Sequence, residues 1–455
     1  MANSTQTDGG DRELLRLEAL VATVLSEAEI QGASAAEAGL SMDRGLSVTV
    51  RLGDVETIEH HRSQGLGVTV YFGRRKGSAS TTDLRPEAVR ETVAAACRIA
   101  QYAAEDEFSG LPDAELLAKE FPDLDLYHPW ELNVERAIGL AQECENAARD
   151  FHSCITNSEG ASLHSYQGLR VLGNSLGFLH GYPSSRHSLT CSVIGQSGDS
   201  MQRDDWWTVA RDPDDLESAV QVGRKAAERT VRRLDARSLS TRHCPVVFAA
   251  DVASGLLGHF IGAIRGGNLY RKSSFLLDRL GQSVFPPFIH LHEQPHLRKA
   301  LGSAPYDSEG VATHPRDLVM DGVLQSYLLS TYSARKLGMK ATGNAGGVHN
   351  LILDPGELDF AGLLKMMGTG LVITELMGQG VNLVTGDYSR GASGFWVENG
   401  EIQYPVEEIT IAGNLRDMFM KILAVGSDVD LRGNTRTGSI LIDEMIVAGN
   451  KGSPL

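Results

Sequence analysis

The period of the hydrophobic pattern switches in the same order twice along the first half of the chain, and this repetition limits the fold more than any other feature. From Asp11, DRELLRLEALVATVLSEAEI sets Leu14, Leu17, Val21 and Val24 at helical spacing. LSVTVRLGD, VETIEHH and GLGVTVYFG then alternate or are β-branched between glycines and charges, the pattern of a meander of short strands. Pro86 opens a second helix, PEAVRETVAAACRIAQYAA, at the first-turn position where proline sacrifices no hydrogen bond. The order then returns: a helix at ELNVERAIGLAQECENAARD, strand-like stretches between Ser153 and Val209, and a helix over DDLESAVQVGRKAAERTVRRL ending near Leu234. Two helix/β-meander/helix units point to an internal duplication. Between them FSGLPDAELLAKEFPDLDLYHPW, with three prolines and mixed charge, reads as a linker lying over the surface.

After SLSTRHCP the chain turns to short apolar strands and many glycines. VMDGVL, with Asp321-Gly322, and FWVENGEIQY, with Asn399-Gly400, predict two tight hairpins, because type I′ turns want residues that tolerate positive φ. SILIDEMIVAG reads as a closing strand. The expected fold class is α+β: two helix/β-meander/helix units, then a β-rich C-terminal domain with mainly antiparallel strands. The expected domains are 1–115, 116–235 and 236–455, in keeping with a chain of 455 residues.

Charge narrows the function. With 58 acidic against 42 basic residues the net charge is −16, and no basic cluster with interleaved aromatics reverses it. A non-specific grip on nucleic acid or an anionic membrane is therefore not expected. Five cysteines are scattered without C-x-x-C spacing, and none follows Cys244, which argues against a disulfide framework or a zinc knuckle. The start, MANSTQTDGG, lacks an apolar core and reads as a frayed tail, and no run has the ~18 apolar residues of a membrane helix. A cytoplasmic protein with reduced thiols is the expectation.

Two histidine stretches carry possible metal chemistry. HLHEQPH places His292, Glu293 and His296 in a literal H-E-x-x-H, where two histidines one helical turn apart would hold zinc beside a glutamate base. That chemistry needs a helix, which Pro295 opposes by removing a backbone bond and crowding the preceding turn. An exposed loop is the preferred reading. The second stretch, GLLGHFIGAIRGGN, follows the strand CPVVFAA and clusters Ala253, Leu257, Phe260, Ile261 and Ile264 on one helical side. Its other side carries Ser254, Gly258, Gly262 and His259, with no second ligand one turn away. No Walker A loop or dinucleotide fingerprint is present, and no residue is assigned a catalytic role.

FLLDRLG, YDSEGV, SARKLG, GNAGGVHN, MGTGLVITELMGQGVN, GDYSRGASGFWVENGEIQYPV and ITIAGNL together resemble the PmbA (TldE) branch of the TldD/PmbA metallopeptidase family, known also as modulators of DNA gyrase. The resemblance implies a protease in which a TldD-type chain pairs with a TldE-type chain to act on unfolded peptides, with microcins and antitoxins as substrate types. In that family, TldD-type chains carry H-E-x-x-x-H on the helix after the strand, and a cysteine near the C-terminus, as ligands of a divalent metal, with zinc the expected ion. The matching positions here are Gly258, His259 and Ala263, and the late cysteine is missing. The resemblance thus implies a chain that carries no metal or cofactor itself, supports substrate binding and chamber closure, and depends on a TldD-type partner. A non-enzymatic homodimeric peptide-binding protein is the alternative. His259 by position, and His349, Asn350, Asp387 and Arg390 as polar groups in glycine-rich loops, are the candidate substrate contacts, each with ordinary loop hydrogen bonding as its competing role.

Overall fold

A computed structural model describes the backbone of residues 4–449 and the side chains of residues 12–449. The chain runs through α1 (Ser4–Ile30), β1 (Ala35–Arg51), β2 (Asp54–Phe72), β3 (Arg75–Thr81), α2 (Pro86–Tyr102), α3 (Val134–Arg149), β4 (Ile155–Asn174), β5 (Leu179–Ser197), β6 (Ser200–Ala210) and α4 (Ala219–Arg232). The helix/meander/helix order is as the pattern predicts. The tail is not: α1 already includes Ser4 to Gly10, while the first three residues lie outside the described ones.

The strands are also longer than expected. VETIEHH and GLGVTVYFG are one strand, β2, and LSVTVRLGD is only the second half of β1. The small and charged residues of AAEAGLSMDR give little local β signal, yet β1 is paired along both sides, with β2 and with β4. That pairing merges the two units into one antiparallel sheet, β3-β2-β1-β4-β5-β6.

Alternation along β1 decides what each face of the sheet does. Ala36, Ala38 and Leu40 pack beneath α1 and α2, while Leu46, Val48 and Val50 pack with α3 and α4. Gly39, Ser41 and Asp43 alternate with the first set and face the other way, toward an open cleft. The buried Glu145 of α3 ties the layers together by accepting from Leu52 N (2.7 Å) and Gly53 N (2.8 Å) in the β1–β2 turn.

The second half continues with β7 (Arg242–Phe248), α5 (Ala250–Ile264), α6 (Gly266–Tyr270), β8 (Leu291–Glu293), β9 (Arg316–Met320), β10 (Val323–Leu324), α7 (Thr331–Lys336), β11 (Leu351–Leu353) and α8 (Phe360–Met367). Then follow β12 (Gly370–Met377), β13 (Asp387–Glu398), β14 (Glu401–Asn414), α9 (Leu415–Met420), β15 (Ile422–Val425), β16 (Thr435–Arg436) and β17 (Ile440–Gly449). The larger sheet is ordered β14-β13-β12-β7-β17-β15, and an extra β14–β17 pairing bends it into a closed ring. Among the described residues, only the β12–β7 and β11–β16 strand pairs are parallel. Both predicted hairpins form, with Asp321-Gly322 and Asn399-Gly400 at positive φ. A smaller sheet, β10-β9-β8-β11-β16, lies beside the ring.

The stretch read as a surface linker is instead packed between the halves. Leu117, Leu124 and Leu126 are buried, Ala118 N donates to Gly310 O, and Leu126 O accepts from Ser185 N. Its prolines and charges conceal these apolar anchors. Tyr306 completes the seam among Phe121, Phe178, His180 and Tyr182, and its hydroxyl donates to His180 O at 2.9 Å.

Candidate functional site

The open face of the N-terminal sheet is roofed by two loops of the C-terminal half, which leave a groove of about 1420 Å³. Glycines thin its floor. A methyl added at Gly67 would meet no heavy atom within 4 Å, and one at Gly39 or Gly65 would meet only a side-chain atom 3.8 or 3.9 Å away. The backbone of β1 and β2 is therefore accessible from the cleft. Arg170 and Arg186 project from β4 and β5, and Arg211 follows β6. Burial draws the Arg211 pKa down, and the other two guanidiniums are near enough to push the same way. Arg211 also spans the seam, donating to Ser185 O (3.0 Å) and Leu301 O (2.8 Å). An acidic chain has thus gathered three guanidiniums in one cleft, against the carboxylates of Asp43 and Asp307.

The roof is made by YDSEGV and GNAGGVHN, joined through Asp307. Its Oδ1 accepts from Glu309 N (2.9 Å) and Val311 N (3.0 Å), its Oδ2 accepts from Ala345 N (2.9 Å), and Ser308 N donates to Ala345 O. Burial outweighs these donors and pushes the Asp307 carboxyl up to about 7.

The candidates named from sequence fall into two places. His349 lines the groove, half-buried, with Nδ1 3.3 Å from Gly302 O and Nε2 3.2 Å from Gly343 O. Burial lowers its pKa, so the ring favours the neutral form and can donate to only one of the two carbonyls. Asn350 is fully buried: its Oδ1 accepts from Gly302 N, and its Nδ2 donates to Gln294 O and Ser303 Oγ. It shapes the loop from within and exposes no atom to the cleft. His259, Asp387 and Arg390 lie elsewhere, since no residue of α5 or β13 lines the groove. Asp387 accepts from Thr385 Oγ1 at 2.6 Å, and Arg390 Nε donates to Gly378 O at 3.0 Å.

At α5 the donor set does not fit a hydrolytic metal. Burial lowers the His259 pKa, with the nearby Arg390 charge adding to the effect, and the ring stands edge-on to Tyr388 with centroids 5.8 Å apart. Gly258 is exposed and Ala263 is wholly inside the core. Cys244 is buried on β7, and burial pushes its thiol up to about 11. A catalytic zinc takes three protein ligands, and this position offers one imidazole.

HLHEQPH is not a helix, in keeping with the proline argument, but neither is it an exposed loop. His292 and Glu293 lie in β8, and Glu293 is 2% exposed, holding Asn344 Nδ2 and the His349 backbone N–H. His296 turns away to Thr313 Oγ1 (3.0 Å). His292 is grouped with residues that the motif does not contain: His290 Nδ1 is 2.7 Å from Asp354, His290 Nε2 is 2.9 Å from Asp317, and His292 Nε2 is 3.0 Å from Asp354. Burial opposes charge on His290, yet the two carboxylates outweigh it and raise its pKa.

Sequence reasoning missed Arg170, Arg186, Arg211 and Asp307. The arginines come from three separate strands or strand ends and share no local pattern. Asp307 lay in plain view within YDSEGV, where an aspartate two residues before a glutamate and three before a glycine signals a side-chain-stabilised turn.

Family models match three stretches of the chain: PmbA/TldA metallopeptidase domain 1 over residues 36–100, the central domain over 127–234 and the C-terminal domain over 241–449. Metalloprotease PmbA of Escherichia coli O157:H7 is 52% identical over 433 residues, covering 95% of this chain and 96% of that protein. A Haemophilus influenzae PmbA homologue is 50% identical, covering 93% and 94%. Among solved structures, a Bacteroides thetaiotaomicron protein described as a candidate modulator of DNA gyrase superposes with a TM-score of 0.90 at 28% identity, over 94% of this chain and 98% of that one. TldE of Thermococcus kodakarensis shares the fold, with a TM-score of 0.83 at 18% identity, over 94% and 100%.

Proposed function

Because the chain belongs to the PmbA/TldD metallopeptidase family, we propose that it is the peptide-holding subunit of a TldD/TldE-type protease, and that a TldD-type partner carries the hydrolytic metal. One contrast carries this reading: α5 provides a single imidazole where hydrolysis needs three ligands and a base, while the same chain builds a large, roofed, positively lined groove. A Haemophilus influenzae relative named as a TldD homologue, 24% identical over 82% of this chain, supports this reading, since both chain types occur in the family.

The groove suits an extended, unfolded peptide with acidic residues. A floor thinned by glycines makes few demands on side-chain shape, and the arginines favour carboxylates. The floor is the face of β1, β2, β4 and β5, and the edge strand β3 reaches the rim only with Ser80 and Thr81, so the peptide lies across a sheet face and does not pair with a sheet edge. The division at 1–115, 116–235 and 236–455 belongs to the same proposal, with the first two units as floor and the third as roof. So does a cytoplasmic setting; among the described residues, no helix is long and apolar enough to cross a membrane.

The test is to assay peptide cleavage by the purified chain, by a TldD-type partner and by the mixture, each with and without chelator. Cleavage that requires the mixture and is lost with chelator is expected. Robust chelator-sensitive cleavage by this chain alone overturns the proposal, as does homodimerisation with no response to the partner.

A further inference from the structure

We propose that His290, His292 and Asp354 form a binding site for one zinc-class divalent cation, separate from α5 and structural in role. Their donor atoms all lie within 4.8 Å of one another. The backbone sets this up. His290 and His292 are two residues apart in extended chain, so they share a face. In the adjacent β11, Ile352 is opposite His292 and Leu353 opposite Leu291, and Asp354 N donates to His290 O at 3.1 Å, which brings Asp354 opposite His290.

The distances suit a small cation. Zinc bonds of about 2.0–2.2 Å in tetrahedral geometry set neighbouring donors about 3.3 Å apart. Asp354 gives one oxygen to each ring, Oδ2 at 2.7 Å from His290 Nδ1 and Oδ1 at 3.0 Å from His292 Nε2, so to admit the cation the carboxylate withdraws by a few tenths of an ångström and holds it through both oxygens or turns to present one. Asp354 has that freedom, with its side chain 47% exposed, and the same exposure leaves a fourth position for water.

Support from the next layer separates this group from an ordinary surface ion pair. A ligating histidine is usually held by a partner on its other ring nitrogen, which fixes tautomer and direction. His290 Nε2 has Asp317 Oδ1 at 2.9 Å, and His292 Nδ1 has the Gln294 amide at 3.0 Å. With that amide turned so that its oxygen faces the ring, both histidines offer the lone pair nearest Asp354 to a cation; amide orientation is set by the hydrogen-bond network, so the turn is a small change. Imidazole with carboxylate suits zinc or cobalt, not calcium or magnesium, which prefer all-oxygen shells.

The bound ion would join β8 and β11 directly and β9 through Asp317, three neighbouring strands of the smaller sheet. Glu293, next in β8 and on the opposite face, is engaged by Asn344 and His349 and so is not available as a base for water on this ion.

The experiment uses the full chain, stripped with chelator, dialysed, and titrated with zinc chloride by calorimetry, then loaded with cobalt for visible spectra. About one equivalent of zinc and a tetrahedral cobalt spectrum are expected. His292→Ala and Asp354→Asn should abolish this binding, and Asp317→Asn should weaken it about 10–100-fold. Thermal melting of each stripped variant separates a lost ligand from a lost fold. A wild-type chain that binds no more zinc than His292→Ala, or gives only the spectrum of hydrated cobalt, overturns the proposal. Zinc lost in His296→Ala but kept in His290→Ala also overturns it, by assigning the ion to the H-E-x-x-H residues.

Discussion

Asp307 shows how one buried carboxylate can hold a groove in shape. Each of its oxygens is committed to backbone N–H groups, from its own turn and from the facing loop at Ala345. Asp307→Asn keeps the volume but turns an NH₂ toward at least one of those donors. Leaving a buried N–H unsatisfied costs about 1–3 kcal/mol, so denaturant unfolding should register a loss of that size. The pH dependence has a definite sign. With a folded value of about 7 against an ordinary 3.8, the unfolded chain binds fewer protons at this group between those values, so its contribution is greatest in acid and declines as pH rises. The fall in stability of the wild type over this window should exceed that of Asp307→Asn, and equal slopes would assign the titration to other groups. The residue scale is also where the sequence was least readable. HLHEQPH displays two histidines at zincin spacing, but the group that gathers around His292 includes an aspartate 62 residues away, which only strand register brings near.

At the scale of elements, α5 explains why a metal site cannot simply be written back into this chain. Ala263 has no exposure and sits in the principal core, so Ala263→His should overpack it and destabilise by about 1–3 kcal/mol. The combined Gly258→His, His259→Glu, Ala263→His chain is expected to bind no more zinc than the wild type, as read by titration. Close helix packing gives a second prediction. A methyl at Gly223 of α4 would stand 2.0 Å from Cys144 O of α3, so Gly223→Ala should force the pair apart and lower the melting temperature by several degrees. Helices and hairpin turns were legible because their signals are local: a 3.6-residue period, a first-turn proline, Asp-Gly and Asn-Gly. The length of β1 and its pairing with β4 were not, because AAEAGLSMDR acquires its strand conformation from neighbours on both sides. The same holds for 108–130, whose few leucines become anchors only once the two halves are in contact.

Over the whole molecule, charge distribution matters more than net charge. A chain at −16 still concentrates Arg170, Arg186 and Arg211 in one cleft. Arg170→Glu with Arg186→Glu should weaken binding of a labelled acidic peptide about tenfold, a change of about 1.4 kcal/mol, and flatten its salt dependence in anisotropy titrations. Unchanged affinity would remove the groove from the substrate path. The closed ring also has a consequence for synthesis. The N-terminal sheet has all its strands once residue 210 has emerged from the ribosome, whereas β7 pairs with strands that begin at Gly370 and Ile440. For about 120 residues of translation β7 stands with both edges unpaired, and for about 190 it lacks β17, the condition that invites misassembly and chaperone capture. A nascent chain halted before β17 therefore presents a finished floor beneath an unfinished roof: a platform, not yet a passage.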